Sequence, residues 1–299
     1  MREYLINFFK DFKYEKKDAE CLLSTYNTII KNNEANDILN ECLELYKENI
    51  NLNYYDDIIV NRAQKIAKIV NIHTYTVELL VFICLSKHLK SLYEEKGISQ
   101  DIFYESMCDL RYKLDECKAV KGIVGSFVAW WFPGFFNMTR FGLGRLQFEL
   151  TDFASDEYEK DGKKLKRGDR VIGVHIPRSL KPIDKESCDN AYKMAAEFFK
   201  KDITNNPIAF VCHSWLLYSK TLEVFPQKTN TYRFAHEYDI LWDTHDKAGE
   251  YNDAWRLFDM DYTGNIEDYP ENTSMRRAYK DYLRNGGTTG EGYGVFFAK

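Results

Sequence analysis

Three stretches in the second half of the chain combine residue types that can move protons or hold anions. In Phe210-Val-Cys-His-Ser-Trp-Leu-Leu217 a short apolar strand ends in Cys212, His213 and Ser214. Ligands of α/β sheets gather at the carboxyl ends of strands, so the triplet is a candidate site. His213 can act as a general base, and Ser214 or Cys212 can orient a substrate or carry a proton. Alternation sends Cys212 and Ser214 to one face and His213 to the other, so adjacency alone does not make a Cys–His pair. A buried cysteine beside a hydrogen-bonded histidine explains the run equally well.

The second stretch is Gly144-Arg-Leu-Gln-Phe-Glu149. Alternation puts Arg145, Gln147 and Glu149 on one face of a strand. A polar stripe on a central strand is costly unless it is paired or lines a cavity, which makes Glu149 a candidate base or amine-binding carboxylate. A solvent-facing polar edge is the plainer alternative. The third is Val171-Ile-Gly-Val-His-Ile-Pro-Arg-Ser-Leu-Lys-Pro-Ile-Asp-Lys185, a strand, a loop and the start of a helix. The first N–H groups of a helix have no internal partners, and Arg178 and Lys181 add positive charge for phosphates. An ordinary strand-to-helix connection capped by Asp184 fits as well. The loop lacks the glycines that usually let backbone approach a pyrophosphate.

Asp259-Met-Asp-Tyr-Thr-Gly-Asn-Ile266 imitates the start of a calcium loop, but Pro270 stands where the bidentate glutamate belongs. No metal site is expected.

The elements that must hold these residues differ between the halves. From Asp18 to about Asp115 apolar residues recur at helical spacing. Ser99 opens the last of these helices, and proline is absent from the first 132 residues. Near Lys121 glycines become frequent and strands begin. Strands are expected over Arg140–Leu150, Val171–Ile176, Ile208–Cys212, Thr231–Trp242, Ala254–Asp259 and Gly292–Ala298. Helices are expected over Lys185–Lys201, Ser214–Phe225 and Ser274–Arg284, with a hairpin about Asp156–Asp169. Helical crossovers between strands imply parallel pairing in the middle of a mixed sheet.

The 299 residues carry a formal net charge of −5, with 44% hydrophobic and 15% aromatic residues. Such a chain has ample core material and lacks the basic surface of a nucleic-acid binder. Seven widely spaced cysteines with no CxxC pair give neither a disulfide framework nor a zinc signature. The longest apolar run, Val77–Leu85, is too short to span a bilayer. A cytoplasmic protein without membrane or nucleic-acid partners is expected.

The motifs GRLQFE, VHIP before a helix and FVCHSWLL before another resemble those of bacterial acyltransferase-domain proteins. These join an N-terminal helical domain to a C-terminal domain like the GNAT superfamily of acyl-CoA-dependent N-acyltransferases. The resemblance implies an α+β fold, with a helical domain over 1–125 and a mixed sheet flanked by helices over 126–299. It implies acetyl-CoA or another acyl-CoA as co-substrate, and a small-molecule or peptide amine as acceptor. Pantetheine would lie between the strands ending at Pro177 and Cys212. Backbone near Val174 and Ile176 would meet the thioester, with Arg178, Ser179 and Lys181 toward the pyrophosphate. Glu149, His175 or His213 would be the base. The loop Pro177–Pro182 departs from the superfamily's Gly-x-Gly or Gly-x-Ala pattern. A catalytically degenerate ligand- or protein-binding module is therefore the alternative, and a Cys212-dependent hydrolase is a third.

Overall fold

In the computed structural model, residues 1–52, 55–179, 181–203 and 208–298 are described, and the chain divides into two units, Met1–Gly142 and Leu143–Lys299. Leu180 of the expected anion loop and Pro207 ahead of the expected strand lie outside the described residues.

The first unit is helical: α1 (Arg2–Asp11), α2 (Lys16–Lys31), α3 (Asn33–Glu48), α4 (Asn61–Val70), α5 (Thr74–Glu95), α6 (Gln100–Lys121) and the short α7 (Pro133–Phe136). In α2, Leu22, Tyr26 and Ile29 are buried at a spacing that gives one apolar face. Every residue of α5 from Thr76 to Ser86 is buried, as befits a helix apolar on most sides. It packs against α1, α2, α3, α4 and α6. Each fully buried Leu, Ile, Val or Phe there contributes about 1.5–3 kcal/mol relative to an exposed side chain. Helix α6 starts at Ser99, whose hydroxyl accepts from the Asp101 N–H, and stops at Gly122 with φ +69°. Among the described residues, no helix is long and apolar enough to cross a membrane.

Strand β1 (Arg140–Leu143) carries the chain across the division. The second unit contains β2 (Leu146–Asp152), β3 (Glu157–Lys160), β4 (Lys163–Lys166), β5 (Arg170–His175) and β6 (Ala209–Ser214), then β7 (Asp239–His245) and β8 (Gly290–Phe297). Its helices are α8 (Lys185–Phe198), α9 (Ser219–Val224), α10 (Asn230–Ala235), α11 (Ala254–Phe258) and α12 (Ser274–Arg284). The sheet runs β2-β5-β6-β8-β7. Only β5 and β6 pair in parallel among these neighbours, and α8 is their crossover. Strands β3 and β4 form a separate hairpin whose turn residues Asp161 and Gly162 both have positive φ. Tyr158 and Leu165 of that hairpin join Val171, Val211 and Val295 in a core on one face of the sheet. Helix α8 covers the other face, where Tyr192 packs on Phe210 and Phe296 with ring centroids 5.0 Å apart in each case.

Four sequence expectations need correction. Arg140–Leu150 is two strands, because Gly144 at φ +70° breaks the extended run. The expected Ser214–Phe225 helix is a 3-10 turn at Trp215–Leu217 followed by α9. Residues 231–235 are helical within α10, because the Thr229 hydroxyl caps the Tyr232 N–H and starts a helical turn among strand-forming side chains. Ala254–Phe258 is helical rather than extended, with the Asp253 carboxylate holding Arg256 one turn on. Gly292 marks a close approach: a Cβ there would lie 2.0 Å from the Leu217 carbonyl oxygen.

Candidate active site

The parallel ladder between β5 and β6 registers Ile172 with Phe210 and Gly173 with Val211 among the described residues. Both strands run on, to His175 and Ser214, past the last registered pair, which leaves an unpaired opening between their carboxyl ends. The parity of the register puts His175 and His213 on the same face at this opening. Glu149 lies opposite Gly173 on β2 and shares that face. Its Oε1 is 2.7 Å from His175 Nε2, with both side chains about one-quarter exposed.

His213 lies opposite Tyr293 on β8, and Tyr293 lies opposite Trp242 on β7. The Trp242 and Tyr293 rings stack at 5.0 Å and 11°, and the His213 ring leans on Trp242 at 5.1 Å. His213 Nε2 is 3.4 Å from Glu291 Oε2, and 46% of the histidine side chain is exposed. Burial raises the Glu291 pKa, and the neighbouring Asp253 carboxyl raises it further, while His213 pulls it down. The opening is thus flanked by two histidines, each beside a carboxylate. Such pairs orient an imidazole, which suits proton transfer.

The segment after β5 is held from behind. Arg145, only 8% exposed, donates from Nε to the carbonyls of Lys181 and Pro182 at 3.0 Å each, and from Nη1 to that of Pro177 at 3.2 Å. Arg233 Nη2 donates to the Ile183 carbonyl at 2.5 Å. The Asp184 carboxylate caps α8 by accepting the Ser187 N–H at 2.9 Å, and that bond, with the Ser187 hydroxyl, lowers its pKa. Arg178 pairs with Asp259 at 2.6 Å, and Asp259 also pairs with Arg276 at 2.6 Å. Asp259 therefore serves ion pairs and not a cation site. The Ser179 N–H donates to the Pro177 carbonyl at 2.8 Å, and Lys181 is exposed.

The structure puts Glu149, His175 and His213 on one face, and Val174 within β5 has its side chain on the other. It does not add Cys212 or Ser214. Cys212 is 1% exposed and faces the α8 side, and burial pushes its thiol far above the usual range. Desolvation there disfavours a thiolate. The Ser214 hydroxyl accepts the Leu216 N–H at 3.2 Å and starts the following turn. Sequence reasoning missed Trp242, Tyr293, Glu291 and Arg233, because strand pairing across long separations is what brings the first three to His213. It placed Arg145 in a polar stripe, whereas its guanidinium reaches the loop.

Residues 141–296 match the family model of the GNAT-like C-terminal domain, and residues 3–138 match that of the N-acyltransferase N-terminal domain. The crystal structure of an acyltransferase mutant in complex with octanoyl-CoA is similar, with a TM-score of 0.74, 16% identity, and coverage of 99% of this chain and 88% of that one. An acyltransferase in complex with decanoyl-CoA and teicoplanin gives a TM-score of 0.63 at 19% identity, covering 99% of each chain. One in complex with CoA and 10C-teicoplanin gives 0.63 at 18%, with the same coverage. At these identities the likeness shows the fold. No curated protein matches the chain.

Proposed function

We propose, since the chain belongs to the family of proteins that join an N-acyltransferase N-terminal domain to a GNAT-like C-terminal domain, that it transfers an acyl group from acyl-CoA to an amine. The observation that carries this reading is the opening between β5 and β6, with His175 and His213 on one face and each beside a carboxylate. The pantetheine arm enters that opening along the backbone of Val174 and Ile176, and an N–H of this edge donates to the thioester oxygen as charge develops. His213 is the base, because its ring is exposed, braced by Trp242 and oriented by Glu291. It takes a proton from the acceptor ammonium. The amine nitrogen then bonds to the thioester carbon, the carbon–sulfur bond breaks, and one of the two protons left on the nitrogen goes to the departing thiolate while the other stays on the amide. Holding both reactants together supplies much of the rate. Glu149 and His175 fix the β2 side of the opening.

At the phosphate end, Lys181 and Ser179 stand in the loop before α8. Lys181 and Arg178 are the side chains assigned to the phosphates, and Arg178 also pairs with Asp259. The octanoyl-CoA and decanoyl-CoA of the similar structures support extending the expected acetyl group to longer chains, and teicoplanin supports an amine acceptor of small-molecule type.

The test is calorimetry with acetyl-, octanoyl- and decanoyl-CoA, followed by thiol release in the presence of an amine panel. Binding of one of them below about 1 mM, the upper range of enzyme KM values, is expected. No binding by any of them overturns the reading. A ligand-binding module without turnover is the second reading, favoured by the glycine-free loop and the Arg178–Asp259 pair. Acyl-CoA binding with no thiol release for any amine selects it.

A further inference from the structure

The segment between β5 and α8 has no glycine among residues 177–183 and contains Pro177 and Pro182. Phosphate-binding loops usually use glycine so that amide groups can turn toward the anion. Here a buried guanidinium lies behind the loop. Arg145 donates to the carbonyls of Pro177, Lys181 and Pro182, and Arg233 donates to that of Ile183. In a trans peptide each N–H points opposite to the preceding carbonyl. Drawing the carbonyls of Pro177 and Pro182 inward therefore turns the N–H groups of Arg178 and Ile183 away from Arg145. The positive charge of Arg145, 8% exposed, sits behind those amides, where screening by water is weak. The guanidinium is a planar, rigid fork of donors, whereas an ammonium is a compact point charge on a flexible stem.

We propose that Arg145 is a positioning residue for the acyl donor: it replaces glycine by holding the carbonyls of Pro177, Lys181 and Pro182 inward, so that the amides of Arg178 and Ile183 meet the phosphates. This rests on the acyl-CoA reading of the site.

Binding of coenzyme A and of S-octanoyl-pantetheine, which lacks the nucleotide and pyrophosphate, is measured by calorimetry on the full chain and on Arg145→Gln and Arg145→Lys. Losing the charge-assisted bonds that shape the loop is expected to weaken coenzyme A by about tenfold or more in Arg145→Gln. S-octanoyl-pantetheine affinity stays within about twofold, and Arg145→Lys falls between, since it restores charge without the fork. A purely structural role would weaken both ligands alike. Equal losses for both ligands, or unchanged coenzyme A affinity in Arg145→Gln, overturns the proposal. If Arg145→Gln does not fold, Arg145→Lys decides: affinity equal to the unaltered chain overturns it, and a loss confined to coenzyme A supports it. If the unaltered chain binds no coenzyme A, the acyl-CoA reading falls too, and that failure is recognised because it precedes any substitution.

Discussion

Glu149 Oε1 and His175 Nε2 stand 2.7 Å apart across the β2–β5 ladder, two residue pairs removed from direct opposition. Gly173 lies directly opposite Glu149, and a Cβ there would come within 3.4 Å of the Glu149 Cγ. The pair ties the edge of the proposed opening to its neighbouring strand.

A double-mutant cycle with Glu149→Gln and His175→Gln is expected to give a coupling of about 1–2 kcal/mol in urea unfolding at pH 7, the size of a partly buried charge-assisted bond. A coupling near zero would show that the contact does not hold the two strands together.

Local patterns made the helical half legible, since Leu22, Tyr26 and Ile29 repeat at helical spacing and α5 is apolar nearly throughout. The opposite orientations of Cys212 and His213 were legible from strand alternation alone. Residues 231–235 and 254–258 were not, because their β-branched and aromatic side chains favour strands while a local cap or ion pair starts a helix. Nor was the environment of His213. Trp242, Tyr293 and Glu291 reach it through the pairing of β6, β8 and β7, which no local spacing encodes. The carbonyls held by Arg145 belong to residues more than thirty positions away.

Cys212→Ala is expected to retain acyl transfer within about twofold, because a thiol 1% exposed on the α8 face reaches neither substrate. Unfolding should show a loss of about 1–2 kcal/mol for the small cavity. A large loss of turnover at unchanged stability would restore the cysteine to the mechanism.

Glu291 supplies a pH signature. Its folded pKa is raised, by burial first and then by Asp253, so the folded state holds its proton to higher pH than the unfolded chain. Its contribution to stability is therefore greatest below the unfolded carboxylate value of about 4.3 and is lost as pH rises through the raised folded value. Glu291→Gln, which cannot ionise, should gain on the unaltered chain as pH climbs from 4 to 7 in urea midpoints. A difference that stays flat or runs the other way contradicts this assignment.

The sharpest separation of roles is between the two histidines. His213 is exposed and braced at the end of β6, whereas His175 is tied to Glu149. Replacing a general base lowers turnover by about a hundred- to ten-thousand-fold. His213→Ala should show a loss of that size in kcat, with acyl-CoA affinity by calorimetry unchanged within about twofold, because the proposed path of the donor runs along β5 and not over this ring. His175→Ala should act chiefly on stability and more weakly on kcat. Should His175→Ala instead abolish turnover while His213→Ala leaves it intact, the base belongs on β5, and Glu149 becomes the carboxylate that orients it.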